Sequence, residues 1–246
     1  MPHAESSRST DANSPTAVHA RIRQQIMHNE IRPGSRINVD KLARELGVST
    51  TPVREALRQL QGDNLVVQHP GRGYSTTPLL NGEELRAMFE FRLLVEPWAA
   101  RTAAQERLSN PGYLLEQHLK GIEEFAMTSK NLRQEVVAHD TFFHDSIVLS
   151  TGNTVLSTAY QQAHCQLHSY RLHPHDYTYR LTFDEHLTIA QAISNRDPQA
   201  AEAGMRAHLQ NAYLRFTRLH ESALEFPLRE IPAEAQLTIE PERIRG

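Results

Sequence analysis

Asp140 and His144 stand four residues apart in HDTFFHDSIV, a stretch that reads as helix, so a carboxylate and an imidazole share one face a turn apart. Two further histidines sit in similar company: His186 in DEHLTIAQAI and His208 in AEAGMRAHLQNAY. The helical neighbours are largely apolar: Phe143 and Ile147, Leu187 and Ile189, Met205 and Leu209. A carboxylate or imidazole turned into an apolar interior has to be satisfied, and a divalent cation satisfies several such groups at once. Three histidines and one carboxylate suit Zn²⁺, Ni²⁺, Mn²⁺ or a related ion, with positions left open for water or a ligand. Spacing alone does not carry that reading, because an Asp-x3-His pair on a helix is more often a simple hydrogen-bonded pair. His139 and Asp145 flank the pair and are alternatives by one register step.

A different chemistry is written in residues 39–60, VDKLARELGVSTTPVREALRQL. Val39, Leu42, Ala43 and Leu46 form an apolar stripe at helical spacing, and Gly47 follows where a helix stops on a residue tolerant of positive φ. Ser49 and Thr51 are cap candidates, Pro52 suits a first helical turn, and Glu55 complements the dipole. Val53, Ala56, Leu57 and Leu60 give the second helix its inner face. Ser49, Thr50, Thr51 and Arg54 are left at its exposed N-terminal end, the part of a helix-turn-helix recognition helix that enters the DNA major groove.

The elements around these residues divide the chain. Residues 1–15, polar and without an apolar core, read as a disordered leader rather than a secretory signal. A first helix is expected over Thr16–Asn29, broken by Ile31-Arg32-Pro33-Gly34. Beyond the second helix of the motif, ending near Asp63, Leu65–His69 reads as a strand. Pro70–Gly73 is a turn and Tyr74–Thr77 a return strand stopped by Pro78. This is a two-stranded wing whose tip carries Arg72 between glycines, which let backbone approach a groove or phosphate closely. From residue 79 the signals turn helical: Glu83–Glu106, Tyr113–Met127, Leu132–Ser150, Thr154–Leu172, Phe183–Ser194 and Pro198–Leu219. The fold expected is mainly α: an N-terminal winged helix-turn-helix over 16–78, then an all-α bundle of six or seven helices over 79–224. Residues 225–246, rich in Pro and charge, read as a tail that packs loosely or extends onto a partner subunit.

Charge follows the same division. The 246 residues carry a net −3, but residues 1–78 hold ten Lys/Arg against seven Asp/Glu, and residues 79–246 hold sixteen against twenty-two. The positive balance lies where phosphate contacts need it. The apolar runs fall short of the roughly 20 residues of a membrane span. A lone cysteine, Cys165, excludes an internal disulfide framework, suits a reducing cytoplasm and reads as a small helix residue.

The string LARELGVSTTPVREAL, preceded by IRPGSRI and followed by LVVQHPGRGY, closely resembles the winged helix-turn-helix of GntR-family bacterial transcription regulators over residues 16–78. The resemblance implies DNA contacts from Ser49, Thr51 and Arg54, with Arg54 reading a base edge, and phosphate or minor-groove contacts from Arg44 and Arg72. Thr50 departs from the arginine common in the family, which alters the expected operator preference. Behind that domain, the order DTFFH, EH and a last-helix His resembles the all-helical FCD effector domain of the FadR subgroup over roughly residues 83–222. In that group an aspartate and three histidines bind metal, and the matching positions are Asp140, His144, His186 and His208. Arg92 matches an arginine that lines the effector pocket of relatives; its plainer reading is a salt bridge to Glu96 on the same helix face. Asn153 and Arg171 are further pocket candidates.

These readings converge on a cytoplasmic, homodimeric transcription repressor that binds an inverted-repeat operator in double-stranded DNA. Its affinity is expected to be set by a small organic acid at a metal-containing pocket. Two alternatives have other consequences: a closed, four-coordinate structural metal, or a metal-dependent enzyme, for which neither a general base nor a nucleophile motif is evident.

Overall fold

The computed structural model describes residues 14–126, 132–172, 179–218 and 227–229. The N-terminal part opens with α1 (Pro15–Met27), capped by the Ser14 hydroxyl on the Ala17 N–H and burying Val18, Ile22 and Ile26 completely. A short strand β1 (Arg36–Ile37) leads into α2 (Val39–Leu46), whose cap is Asn38 and whose end is Gly47 at φ 71°. Helix α3 (Thr50–Gly62) packs Val53, Ala56, Leu57 and Leu60 against α1, and strands β2 (Val66–His69) and β3 (Gly73–Thr76) form the wing. The sheet has the order β1-β3-β2, all antiparallel, with Val66 opposite Thr76 and His69 opposite Gly73. The expected two-stranded wing therefore has a third strand. β1 is two residues long, too short to show a periodicity.

Seven helices follow among the described residues: α4 (Gly82–Gln105), α5 (Gly112–Ala126), α6 (Leu132–Ser150), α7 (Thr154–Ala163), α8 (Cys165–Leu172), α9 (Tyr179–Ser194) and α10 (Pro198–Arg218). A capping box between Asn81 and Glu84 starts α4, and α10 lies along it in the most extensive helix pairing of the molecule. The bundle core gathers Ala99, Ala103, Leu119, Phe143, Ile147, Ile189, Met205 and Leu209. At Gly112 a Cβ would meet the Ser194 backbone N at 2.4 Å, so only glycine lets α5 begin against the end of α9. The stretch Thr154–Leu172 is two helices rather than one. His164 adopts φ 47° between them, and its Nε2 lies 2.8 Å from the Gly62 carbonyl, which draws the chain toward the winged domain. Of the expected leader, residues 1–13 lie outside the described residues; of the tail only 227–229 are described, with Leu228 packed on the bundle and the Arg229 N–H donating to Glu90.

Candidate metal and effector centre and the DNA-reading face

The N-terminal end of α3 presents its residues outward. Ser49 sits at the cap position, yet its hydroxyl makes no capping hydrogen bond. Ser49, Thr51 and Arg54 are exposed and Thr50 is half-buried. Among the described residues Arg54 has no ion-pair partner. Arg44 is exposed in the last turn of α2, and Arg72 is exposed at the wing tip between Gly71 and Gly73, at φ 69° and 87°. The six residues lie on three successive elements of one small domain: helix end, recognition helix and wing.

The second cluster lies inside the bundle. His144 on α6, His186 on α9 and His208 on α10 are buried, and one ligand atom from each falls within 4.8 Å of the others. An Asp140 carboxylate oxygen is 3.7 Å from His144 Nε2 and 3.6 Å from His186 Nε2. Ligand atoms at about 2.1 Å from a shared ion stand about 3–4 Å apart, so small side-chain adjustments suffice. His186 Nε2 is a buried nitrogen without a hydrogen-bond partner, a donor that a divalent cation would satisfy.

Each imidazole is held from behind. His208 Nδ1 is 2.7 Å from Glu185, whose carboxylate also accepts from both terminal nitrogens of Arg215 and from Asn211. His144 Nδ1 is 2.7 Å from Glu96 in an ion-pair contact rather than a well-aligned hydrogen bond. His186 Nδ1 meets His139 Nε2 at 3.0 Å, and His139 Nδ1 meets His118 Nδ1 at 3.0 Å, making a file of three imidazoles that ends at the half-buried His118. The Phe143 ring stacks flat on His186, with ring centroids 3.8 Å apart. Carboxylates or other acceptors behind the distal nitrogens fix the tautomer and turn the second nitrogen toward the centre, the arrangement that metal-binding histidines require.

Arg92 and Glu96, both buried, pair on α4: Arg92 Nε donates to Glu96 at 2.5 Å, and Tyr160 Oη donates to the same carboxylate at 2.7 Å. The salt-bridge reading of Arg92 therefore holds, and the same side chain lines the cavity, with its Nη2 3.2 Å from His144 Nε2. Burial opposes both charges, but each partner holds the other ionised: the Glu96 carboxyl lies well below its usual range and the Arg92 guanidinium above its own. Burial likewise works against a charged His144, yet Glu96 and then Asp140 outweigh it and lift that imidazole to about 9. His186 has an imidazole rather than a carboxylate behind its Nδ1, and burial followed by the neighbouring imidazoles pushes it well below 6.5. A cavity of about 40 Å³ opens beside these groups, lined among others by Arg92, Asp140, Ser169, Tyr170, His208 and Arg215.

Two expected pocket residues are elsewhere. Asn153 is exposed and caps α7 through the Leu156 N–H, because a short polar side chain at a helix start is taken by the orphan amides there. Arg171 is buried but turns away from the cavity, donating to Thr77 at the end of the wing. Conversely, Glu185, His118, Tyr160 and Arg215 enter the centre from positions whose sequence context carries no signal of it, and His139, a register alternative to the ligand pair, enters it behind His186. Glu96 was visible only as the salt-bridge partner of Arg92.

Residues 16–75 match the family described as bacterial regulatory proteins, gntR family, and residues 87–211 match the FCD domain. The chain belongs to the GntR family of bacterial transcription regulators, in the group with an FCD domain. The FCD match spans Arg92, Glu96, Asp140, His144, Glu185, His186 and His208. Curated GntR-type relatives include the Nta operon transcriptional regulator of Aminobacter aminovorans, 28% identical over 74% of this chain and 84% of that protein. The transcriptional repressor RspR of Escherichia coli is 26% identical over 78% of this chain and 84% of its own length. E. coli McbR/YncC has the same fold, at TM-score 0.62 and 18% identity over 83% of this chain and 97% of that one. This FCD regulator is thus a DNA-binding regulator of transcription and not an enzyme, and no helix among its described residues is long and apolar enough to cross a membrane.

Proposed function

We propose that this GntR-family chain is a cytoplasmic, homodimeric repressor that reads an inverted-repeat operator and responds to a small carboxylic acid bound beside a divalent transition metal. The observation that carries the sensing part is the convergence of Asp140, His144, His186 and His208 on one centre that borders a cavity. These four side chains hold the ion, and Zn²⁺, Ni²⁺ and Mn²⁺ all suit the donor set. When bound, the ion supplies an open coordination position for a carboxylate oxygen. Arg92 and Arg215 on the cavity wall supply charge to hold the ligand, and Glu96 and Glu185 keep His144 and His208 oriented. A cavity of about 40 Å³ admits only the head of such an acid; a larger molecule requires the wall formed by α8 and α9 to give.

On the DNA side, Ser49, Thr50, Thr51 and Arg54 enter the major groove, with Arg54 on a base edge, while Arg44 and Arg72 contact phosphate or the minor groove. Dimerisation is supported by α4, where Leu94 and Trp98, 58% and 47% exposed, lie one turn apart on the face away from the core. A two-fold dimer then matches the symmetry of the half-sites.

The test joins metal analysis to operator titration. Untagged full-length protein should contain about one transition-metal equivalent per chain, lost in His208→Ala. Operator affinity, measured at fixed metal against a panel of small carboxylic acids, should change with at least one of them. Metal-free wild type refutes the metal centre, and indifference to every acid refutes the sensing.

A further inference from the structure

The short helix α8 touches both functional halves of the molecule. Ser169 and Tyr170 line the cavity, while Leu167 belongs to the core of the winged domain, and Tyr170 packs against both that core and the core of the bundle. The next residue, Arg171, is 1% exposed and turns the other way. Its Nη1 donates to Thr77 Oγ1 at 2.6 Å and its Nη2 to the Thr77 carbonyl at 2.7 Å, while its own carbonyl accepts from Asn29 at 3.1 Å. No carboxylate among the described residues lies within ion-pair reach of this guanidinium, and its Nε has no hydrogen-bond partner. A buried cation held by neutral acceptors alone is costly, and burial lowers its pKa to about 10.

Thr77 is where the wing is tied off. Its N–H donates to the Leu65 carbonyl that precedes β2, and its carbonyl also accepts from Gly34 ahead of β1. Gripping Thr77 therefore grips both outer strands of the sheet. The seam has two further bonds, His164 Nε2 to the Gly62 carbonyl at 2.8 Å and Asn64 Nδ2 to the Gln162 carbonyl at 3.2 Å. Asn29, Asn64 and His164 all adopt left-handed φ, between 47° and 57°, and they are three of the four non-glycine residues that do so among those described. Strained backbone of this kind persists where surrounding structure over-determines it and gathers at switch regions.

From this geometry we infer that Arg171 is a positioning residue: α8 is the lever between cavity and winged domain, and Arg171 is the clamp that carries the cavity wall's position to the wing through Thr77. The inference rests on the cavity being the sensing site. A ligand that pushes on Ser169 or Tyr170 displaces the neighbouring guanidinium, and with it the recognition surface of one half-site. The ligand is thereby given a differential affinity for two placements of the winged domain.

Hydrogen exchange in the full-length chain tests this, metal-stripped and again with one equivalent of Zn²⁺, in wild type, Arg171→Met and Thr77→Val. In stripped protein both variants should exchange the amides of residues 64–78 about tenfold faster than wild type, with the bundle core unchanged. Zn²⁺ should slow exchange at 64–78 in wild type and leave it unmoved in the variants, although all three bind the ion equally. Variants whose wing exchanges like wild type, or responds to Zn²⁺ like wild type, overturn the clamp. If no form binds Zn²⁺, the metal centre is refuted instead and the stripped-state comparison decides the clamp by itself. Should Arg171→Met fail to fold, Thr77→Val, which removes the hydroxyl that accepts from Arg171 and donates long, at 3.4 Å, to the Leu65 carbonyl, decides it through the lost Zn²⁺ response at 64–78.

Discussion

Replacing Glu96 by Gln is the sharpest probe of the buried centre. The carboxylate is 1% exposed and touches Arg92, Tyr160 and His144. Glutamine keeps the shape but only one acceptor oxygen, where Tyr160 and His144 meet different oxygens of the carboxylate, and it removes the charge, leaving Arg92, 2% exposed, as an uncompensated buried cation. Breaking a buried pair in this way costs about 3–5 kcal/mol. For a chain of this size that lowers the melting temperature of metal-stripped protein by about 6–20 °C. Removing both charges should be milder than removing one: Arg92→Met/Glu96→Gln should recover about 1–3 kcal/mol relative to Glu96→Gln, a coupling energy typical of contacting groups. Urea unfolding of the single and double variants measures both quantities. The same substitution loosens His144, so metal affinity by competitive chelation should fall about 10–100-fold. A loss under about 1 kcal/mol, or strictly additive single variants, would refute the claim that Glu96 is the charge holding Arg92 and His144 in place.

Three other outcomes are expected. Arg54→Ala should abolish specific operator binding without changing melting temperature or oligomeric state, whereas Arg72→Ala should weaken binding to all sequences and reduce the salt slope by about one, both read by anisotropy titration at several salt concentrations. Trp98→Arg, on the exposed face of α4, should shift the protein to monomer in sedimentation and weaken operator binding through the lost second half-site. Loading Zn²⁺ at pH 7.5 in weak buffer should release about one proton per chain, because metal-free His144 is held protonated up to about 9 while His186 is already neutral. Dye-monitored uptake without proton release would remove His144 from the ligand set.

The helix-turn-helix was legible because local rules specify it: Gly47 had to stop α2, and the apolar spacing of 53, 56, 57 and 60 had to turn Arg54 outward. The four convergent residues of the bundle became legible only through a family pattern, since nothing in the spacing of three helices says that they meet. What stayed hidden is what depends on tertiary placement. Glu185 looks like a surface acid beside His186, yet it serves His208 from the neighbouring helix while Arg215 and Asn211 fix it. His118 and His139 carry no spacing rule that would stack them. Arg171 went astray for a related reason: a helix turns by about 100° per residue, so Ser169 and Tyr170 line the cavity while Arg171, one step further round, leaves it.

Charge balance around the centre narrows what it can bind. Asp140, Glu96 and Glu185 bring three negative charges, and Arg92 and Arg215 two positive ones, so with neutral imidazoles the centre holds one negative charge in excess. In metal-free protein the raised affinity of His144 for a proton cancels that excess. A divalent ion in place of the proton overshoots, leaving one positive charge in a buried site where unbalanced charge is expensive. A monoanion restores neutrality; a second carboxylate would have to reach Arg215 on the cavity wall or remain outside. A divalent ion there would therefore do more than offer a coordination position, because it would reverse the sign of the centre. A monocarboxylate should raise the affinity for metal by the same factor by which metal raises the affinity for the acid. Two titrations run in opposite order, acid into metal-loaded protein and metal into acid-saturated protein, must return equal coupling factors, and a dicarboxylate that out-competes every monoanion would refute the charge argument while leaving the ligand set intact.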